Sequence, residues 1–357
     1  MLAAPSDEDW PAPAHAFEAA RTLIMRAQPG PVVIACDHDV DGLASAVLVY
    51  RTLGRLEFRA EIVPVGRGQH IHEPRFRDAL AARAAALYIV TDMGSRAQPI
   101  GLPAPTLILD HHASDTFPPD ALVVSSAGRI PVAPTSYLAY ELCRRLADVD
   151  DLSWLALLGS EADLGAAATL GALPAWRAQH RRKDVSEAIA LLNAARRAPE
   201  HEVATALRVL ALADSPRAIA TGDSDDVTRL HAARSEVAQE VQRCMRVPPQ
   251  MIGDVALIRI RSKAQIHPLI AVRWKTRLAG KVVLVANESF LPERVNFVVR
   301  STRDIDLIAW LRSLRIADAG EDFARGHPAA TGGSLDFPQF DRLLTAISSD
   351  LSVPSTK

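Results

Sequence analysis

Cysteine is scarce: the chain has only Cys36, Cys143 and Cys244. Three thiols spread so widely are neither a disulfide framework nor a zinc knuckle, and they fit a reducing compartment. Aromatic residues make up just 5%. No apolar run approaches the roughly 18–20 residues that a membrane span needs. The opening MLAAPSDEDWPAPAHAF has neither a basic start nor an apolar core, so it does not read as a signal peptide. The expectation is a soluble, cytoplasmic protein with no membrane partner. There is no internal repeat and no low-complexity tract. No G-x-x-x-x-G-K-[ST] loop is present, so an ATP-driven activity has no support. Net charge is also nearly absent, at -2, and gives no global sign of a nucleic-acid or membrane partner.

What is present is ample material for cores. Apolar residues are 48% of 357, enough for about two domains. Residues 32–36 (VVIAC) are a short β-branched run, the mark of a buried strand. A helical stretch follows at 42–53. Further strand patterns occupy 59–65, 86–92, 105–110 and 121–126, with helical segments such as 74–85 between several of them. That alternation predicts a parallel α/β sheet. From about 134 to 214 the pattern is helical. A further helix over 226–245 reads as a connector, stopped by Val247-Pro248-Pro249. Strand patterns return at 254–260, 281–287 and 294–301, then a helix at 305–314 and a Gly-rich turn region at 326–335.

The strand at 32–36 runs into Asp37-His38-Asp39-Val40-Asp41-Gly42. With a period of two, side chains 37, 39 and 41 can share one side of an extended segment. Three carboxylates so close repel one another unless a cation sits among them. An acidic surface turn, with Asp41-Gly42 as its corner and Asp37 as a cap, explains the same residues equally well. Two more strand patterns end in acids: 86–92 at Asp92, before Met93-Gly94, and 105–110 at Asp110, before His111-His112. In a parallel sheet these ends are neighbours, and such ends are where open α/β sheets bind ligands. Carboxylates with imidazole and no thiolate cluster suit Mn²⁺ or a similar divalent ion.

These segments resemble the motifs of the DHH phosphoesterases. Asp37 to Gly42, Val90-Thr91-Asp92-Met93-Gly94 and Leu109-Asp110-His111-His112 look like the first three. Leu158-Gly159-Ser160-Glu161-Ala162-Asp163 looks like the fourth. Arg325-Gly326-His327 through Gly332-Gly333 resembles the Gly-His loop of the DHH-associated C-terminal domain, and Val298-Val299-Arg300-Ser301 its Arg-Ser strand end. The compact D-x-D-x-D-G form is similar to RecJ-type nucleases, as is Leu192-Asn193-Ala194-Ala195-Arg196-Arg197, where Arg196 replaces a glycine. The sequence departs from the family in a glycine run reduced to Gly326, and in Ala113-Ser114-Asp115 where a downstream Asn-Pro is usual. Full-length bacterial RecJ proteins carry an additional OB-fold, and none is expected within these 357 residues.

The resemblance implies a parallel-sheet α/β catalytic domain over 1–222 and a connecting helix over 223–248. A smaller α/β substrate-binding domain over 249–349 and a tail at 350–357 complete it. It implies two Mn²⁺ ions, or Mg²⁺ in their place, held by Asp37, Asp39, Asp41, Asp92, His111 and Asp163, with Asp92 as the bridge. His112 would meet the phosphate and Asp110 would orient an imidazole. Arg300, Ser301, His327, Gly332, Gly333, Asn193 and Arg196 would bind substrate. A helix C-terminal polar face accounts for Asn193 and Arg196 equally well. The implied activity is a 5′–3′ exonuclease on single-stranded DNA, with a place in DNA repair and a repair or replication protein as partner. The alternatives are a phosphodiesterase for short RNA or cyclic dinucleotides, and an inactive DHH-like scaffold, which would lack these carboxylates.

The near-zero charge conceals a split. Residues 246–315 hold 13 Lys or Arg against 5 Asp or Glu, while the rest holds 27 against 37. An acidic catalytic part and a basic part suited to a phosphate backbone are expected.

Overall fold

A computed structural model describes residues 10–27, 29–114, 116–320, 323–327 and 329–349. The tail expected at 350–357 lies outside them. The chain divides into two compact units, residues 1–196 with 202–231, and residues 197–201 with 232–357.

The first unit is built on five parallel strands. They are β1 (Val32–Cys36), β2 (Ala60–Pro64), β3 (Leu87–Thr91), β4 (Thr106–Asp110) and β5 (Ala121–Ser125), in the order β2-β1-β3-β4-β5. Every residue of β1, β3 and β4 is buried, which is why these strands read as unbroken apolar runs rather than alternating ones. Ile34, Cys36, Leu107 and Leu109 join one core, with α2 (Val40–Arg55), α4 (Thr135–Cys143) and α5 (Ser153–Leu164). Val33, Ala35, Tyr88 and Val90 join a second core on the opposite face, with Phe76 and Leu80 of α3 (Pro74–Ala81). The first core also takes in α1 (Ala14–Arg26), α6 (Leu173–Ala178), α7 (Arg182–Arg197), α8 (Val203–Leu212) and α9 (Pro216–Thr221). The division between units falls within α10 (Asp225–Cys244).

The second unit is a six-stranded mixed sheet. Its strands are β6 (Gln250–Ile252), β7 (Val255–Ile260), β8 (Val282–Asn287), β9 (Arg294–Ser301), β10 (Arg325–His327) and β11 (Ala330–Asp336), in the order β10-β11-β9-β8-β7-β6. β7 and β8 are parallel and the other pairs antiparallel. One face carries α12 (Leu307–Ser313) and α13 (Phe337–Ser349), the other α11 (His267–Arg277). The architecture is thus α/β in both units. Among the described residues no helix is long and apolar enough to cross a membrane.

Two local expectations change. The Gly-rich stretch at 326–335 is mostly a strand pair rather than a turn region, because Gly332 and Gly333 let β11 lie close to β9. A Cβ on Gly332 would stand 2.2 Å from the Phe297 carbonyl oxygen. The stop after α10 leads straight into β6, a three-residue strand too short to leave a period in the sequence.

At the end of β8, fully buried Asn287 holds the β7–α11 connection. Its Oδ1 accepts from the Ser262 amide at 3.0 Å and the Ser289 amide at 3.3 Å, and its Nδ2 donates to the Ala264 carbonyl at 3.0 Å. Truncation strands a buried amide and a buried carbonyl. Asn287→Ala is expected to cost about 2 kcal/mol, read as a lower urea midpoint with an unchanged slope.

Candidate metal centre

The C-terminal ends of β1, β3 and β4 are adjacent, and each delivers an acid. Asp37 follows β1, and its amide donates to the Thr91 carbonyl at 3.1 Å. Asp92 follows β3 and turns at once into the left-handed region, with φ 67°. Asp110 is the last residue of β4. Two groups of converging ligand atoms occur among the described residues, Asp37 with Asp39 and Asp92, and Asp92 with His111 and His112. Asp92 belongs to both.

The period-two expectation for Asp37, Asp39 and Asp41 does not hold, because α2 begins at Val40. Asp39 is its N-cap: the carboxylate accepts from the amides of Asp41 at 3.0 Å and Gly42 at 3.1 Å. This satisfies two amides that the first helical turn would leave open. Asp41, one residue into the helix, is buried beneath the cluster. Its two oxygens accept from the Thr135 amide at 2.8 Å and the Ser136 amide at 3.0 Å, at the start of α4. A helix N-terminus favours such an anion. Asp41 is therefore already engaged by backbone donors, and neither converging group includes it.

Asp163 reaches the site from the last turn of α5, with an oxygen 3.6 Å from His111 Nδ1. The Nε2 of the same ring is 3.4 Å from Asp92. The imidazole thus stands between two carboxylates. His112 is half exposed and turns Nδ1 to Asp110 at 2.9 Å. Asp110, fully buried, also accepts from the Gly94 amide at 3.2 Å and the Ser95 hydroxyl at 3.3 Å. It sits behind the His112 ring, against Nδ1.

Three partners were not anticipated in the sequence. The Thr135 hydroxyl donates to Asp92 at 2.9 Å, Ser136 belongs to the helix start that holds Asp41, and Gly159 makes that packing fit. A Cβ on Gly159 would lie 2.4 Å from Ser136 Oγ and 2.6 Å from Asp41 Oδ1. A short proline-led segment before α4 is a generic helix start, and only the register of α4 against Asp41 gives it meaning.

Charge is concentrated here beyond what the protein balances. Desolvation, then Asp39, pushes the Asp37 carboxyl up to about 6. Desolvation likewise brings Asp41 up to about 6, with Asp39 adding to it. Burial and then Asp41 and Asp39 hold Asp92 well above the usual carboxylate range. Asp163 is raised by burial. Burial opposes the charge on Asp39 too, but Arg196 and the Gly42 amide outweigh it and lower its pKa. For His112, burial works against the charged ring, yet the hydrogen bond and charge of Asp110 bring it up to about 9. His38 is pushed down to about 4 by burial and then by Arg196. Cys36 is buried beneath the acids, and burial raises its thiol, so it is no nucleophile. Crowded oxygen and imidazole donors, with no thiolate and too little positive charge, fit hard to borderline divalent ions such as Mn²⁺ or Mg²⁺.

Of the residues expected to bind substrate, Arg196 lies near the end of α7, with Nε 3.3 Å from Asn193 Oδ1, and its charge acts on both Asp37 and Asp39. Arg67, in the loop after β2, acts on His38 in the same way. In the second unit, Arg300 on β9 is half buried, its Nε has no hydrogen-bond partner, and burial lowers its pKa. Ser301, the last residue of β9, is held locally: its hydroxyl donates to the Lys281 carbonyl at 3.1 Å and accepts from the Arg303 amide at 3.0 Å. His327 is in β10 opposite Ala330, and its side chain lies outside the described residues. Part of the unit's positive charge is paired locally, Arg259 and Arg261 with Glu288, and Lys281 and Arg303 with Asp254.

A family model for the N-terminal domain of the DHH family matches residues 31–169, which contain Asp37, Asp39, Asp41, Asp92, Asp110, His111, His112 and Asp163. Residues 31–169 are a DHH-family domain. No curated protein matches the sequence. Among solved structures, RecJ of Thermus thermophilus in complex with Mn²⁺ aligns over 95% of this chain and 55% of its own, with 20% identity and a TM-score of 0.72. The chain thus spans about half of that protein. An exonuclease RecJ bound to manganese aligns over 97% of both chains, at 20% identity and TM-score 0.68. The DHH domain of a member of a ribosomal-protein family aligns over 99% of this chain and 95% of its own, at 14% identity and TM-score 0.68. The DHH domain and the second unit together therefore have a RecJ-like fold; fold alone does not carry activity.

The charge crowding of the DHH site makes a pH signature. A carboxyl raised in the folded state stabilises the fold below its unfolded pKa, and that stability is lost as pH rises through the folded value. For Asp37 the window runs from about 4 to about 6. In EDTA, Asp37→Asn is expected to gain Tm relative to the parent chain between pH 4.5 and pH 7.5. Mn²⁺ should raise the parent's Tm more at pH 7.5 than at pH 5. A pH-independent difference, measured by differential scanning fluorimetry, would contradict this origin.

Proposed function

We propose that the chain is a Mn²⁺-dependent two-metal phosphodiesterase that hydrolyses single-stranded nucleic acid as a RecJ-like 5′–3′ exonuclease. The observation that carries the proposal is the convergence of Asp37, Asp39, Asp92, His111 and His112 at adjoining strand ends, with Asp163 alongside, inside a DHH-family domain.

Asp37 and Asp39 would hold one ion, and His111 and Asp163 the other. Asp92 would be shared between them, since its carboxylate converges with both groups. Two such ions would polarise the phosphoryl oxygens and make a water acidic enough to attack phosphorus at neutral pH. Thr135 fixes the rotamer of Asp92, and Asp41 locks the start of α2 to the start of α4, so the ligands are set before any ion arrives. His112, kept charged by Asp110 behind it, would donate to a phosphate oxygen. Arg196, beside the acids, would hold a phosphate of the substrate with its fork. Arg300, with an unpartnered Nε, is the second unit's candidate for the same work.

The test is turnover with Mn²⁺ of three labelled substrates: a long single-stranded DNA, a two-to-five-residue RNA and a cyclic dinucleotide. Stepwise 5′ release from the long DNA is the expected result. Cleavage of only the short substrates would replace the exonuclease with a short-oligonucleotide phosphodiesterase. No turnover with metal bound would point to a scaffold. Asp92→Ala should lower turnover by at least about a thousandfold while circular dichroism stays that of the parent chain. Retained turnover would remove Asp92 from the mechanism.

A further inference from the structure

A cavity of about 670 Å³ lies at the far end of the same sheet. Val32 and Val33 at the start of β1, and Ala60 and Glu61 at the start of the edge strand β2, line it. The carboxylates follow the other end of β1, so none of them takes part. The size is within the range of roughly 300–1,000 Å³ usual for small-molecule sites.

Its chemistry is specific. Tyr50, on α2, is 38% exposed, and Phe58 in the α2–β2 loop also lines the cavity. Three guanidinium groups line it as well, in three different states. Arg51 is committed to backbone, with Nη2 donating to the Ala211 carbonyl at 2.7 Å and also to that of Ala213. Arg83 is neutralised by Glu61 at 2.9 Å. Arg59 is exposed and has no ion-pair partner among the described residues. An apolar, aromatic wall with one uncommitted planar cation suits a ring that carries an anion.

We propose that this cavity binds a small ligand joining an aromatic ring to one anionic group, a phosphate or a carboxylate. The ring packs against Tyr50 and Phe58, and the anion pairs with Arg59. Glu61 limits the charge the site accepts by holding Arg83.

Calorimetry on the full chain in EDTA tests this with adenosine 5′-monophosphate, 1-naphthoate and ribose 5-phosphate. Binding of the nucleotide or of the naphthoate is expected, and which one binds names the anion. Ribose 5-phosphate, lacking the ring, should bind at least about tenfold more weakly than the nucleotide. Arg59→Ala should weaken the ring-bearing probe roughly tenfold, and Tyr50→Ala should weaken it as well. Glu61→Gln, by releasing Arg83, should strengthen it, a gain that misfolding does not produce. Asp92→Asn and Arg300→Ala should leave the affinity unchanged, which separates this site from the carboxylate cluster. The proposal is overturned if neither ring-bearing probe binds, if Arg59→Ala leaves affinity intact, or if ribose 5-phosphate binds as tightly as the nucleotide.

Discussion

The first unit is organised around a concentration of negative charge that its own cations do not neutralise. Asp37, Asp39 and Asp92 meet where β1 and β3 end, with Asp41 beneath them. Such charge is costly to desolvate, and the fold meets the cost with backbone donors rather than with lysines. The first turn of α2 satisfies Asp39, the first turn of α4 satisfies Asp41, and the amide after Met93 helps satisfy Asp110. The start of α2 is therefore capped by Asp39, and the start of α4 is tied to Asp41 within α2, so the position of α4 follows from that of α2. What remains unbalanced is plainest in the upper layer, where burial and neighbouring acids raise Asp37 and Asp92, though burial raises Asp41 below them as well.

The two layers divide the work. The lower acids, Asp41 and Asp110, accept from backbone amides, and Asp110 also from the Ser95 hydroxyl, so they tie the architecture together. The upper ones, with His111 and Asp163, keep donor atoms free to converge. Sequence spacing alone does not separate them, since Asp39 and Asp41 look equivalent in a D-x-D-x-D-G string. The separation comes from where α2 begins, because a helix turns consecutive residues through about 100° whereas a strand alternates them.

Much of the architecture was legible before any coordinates. Buried strands such as Val32–Cys36 announce themselves by unbroken apolar runs, and acids at three strand ends point to a site in a parallel sheet. What escaped the sequence shares a physical cause: it depends on contacts far apart in the chain. Thr135 and Ser136 matter only because α4 starts against Asp41, and Gly159 only because α5 presses on both. In the second unit, Gly332 shows the same dependence. The close approach it permits is to Phe297 on the neighbouring strand. The strand β6 was missed since three residues carry no period.

Asp92 also stands against the preference of the backbone. Its φ of 67° places it in the left-handed region, where glycine is at ease and a side chain costs roughly 1 kcal/mol. The bend aims the carboxylate into the cluster instead of along the strand. Drift towards glycine at this position would relax the main chain and remove a buried charge, a gain in stability on both counts. Selection for a sturdier fold and selection for chemistry therefore pull in opposite directions at residue 92. In the proposed reaction, residue 92 is the place where chemistry outweighs stability.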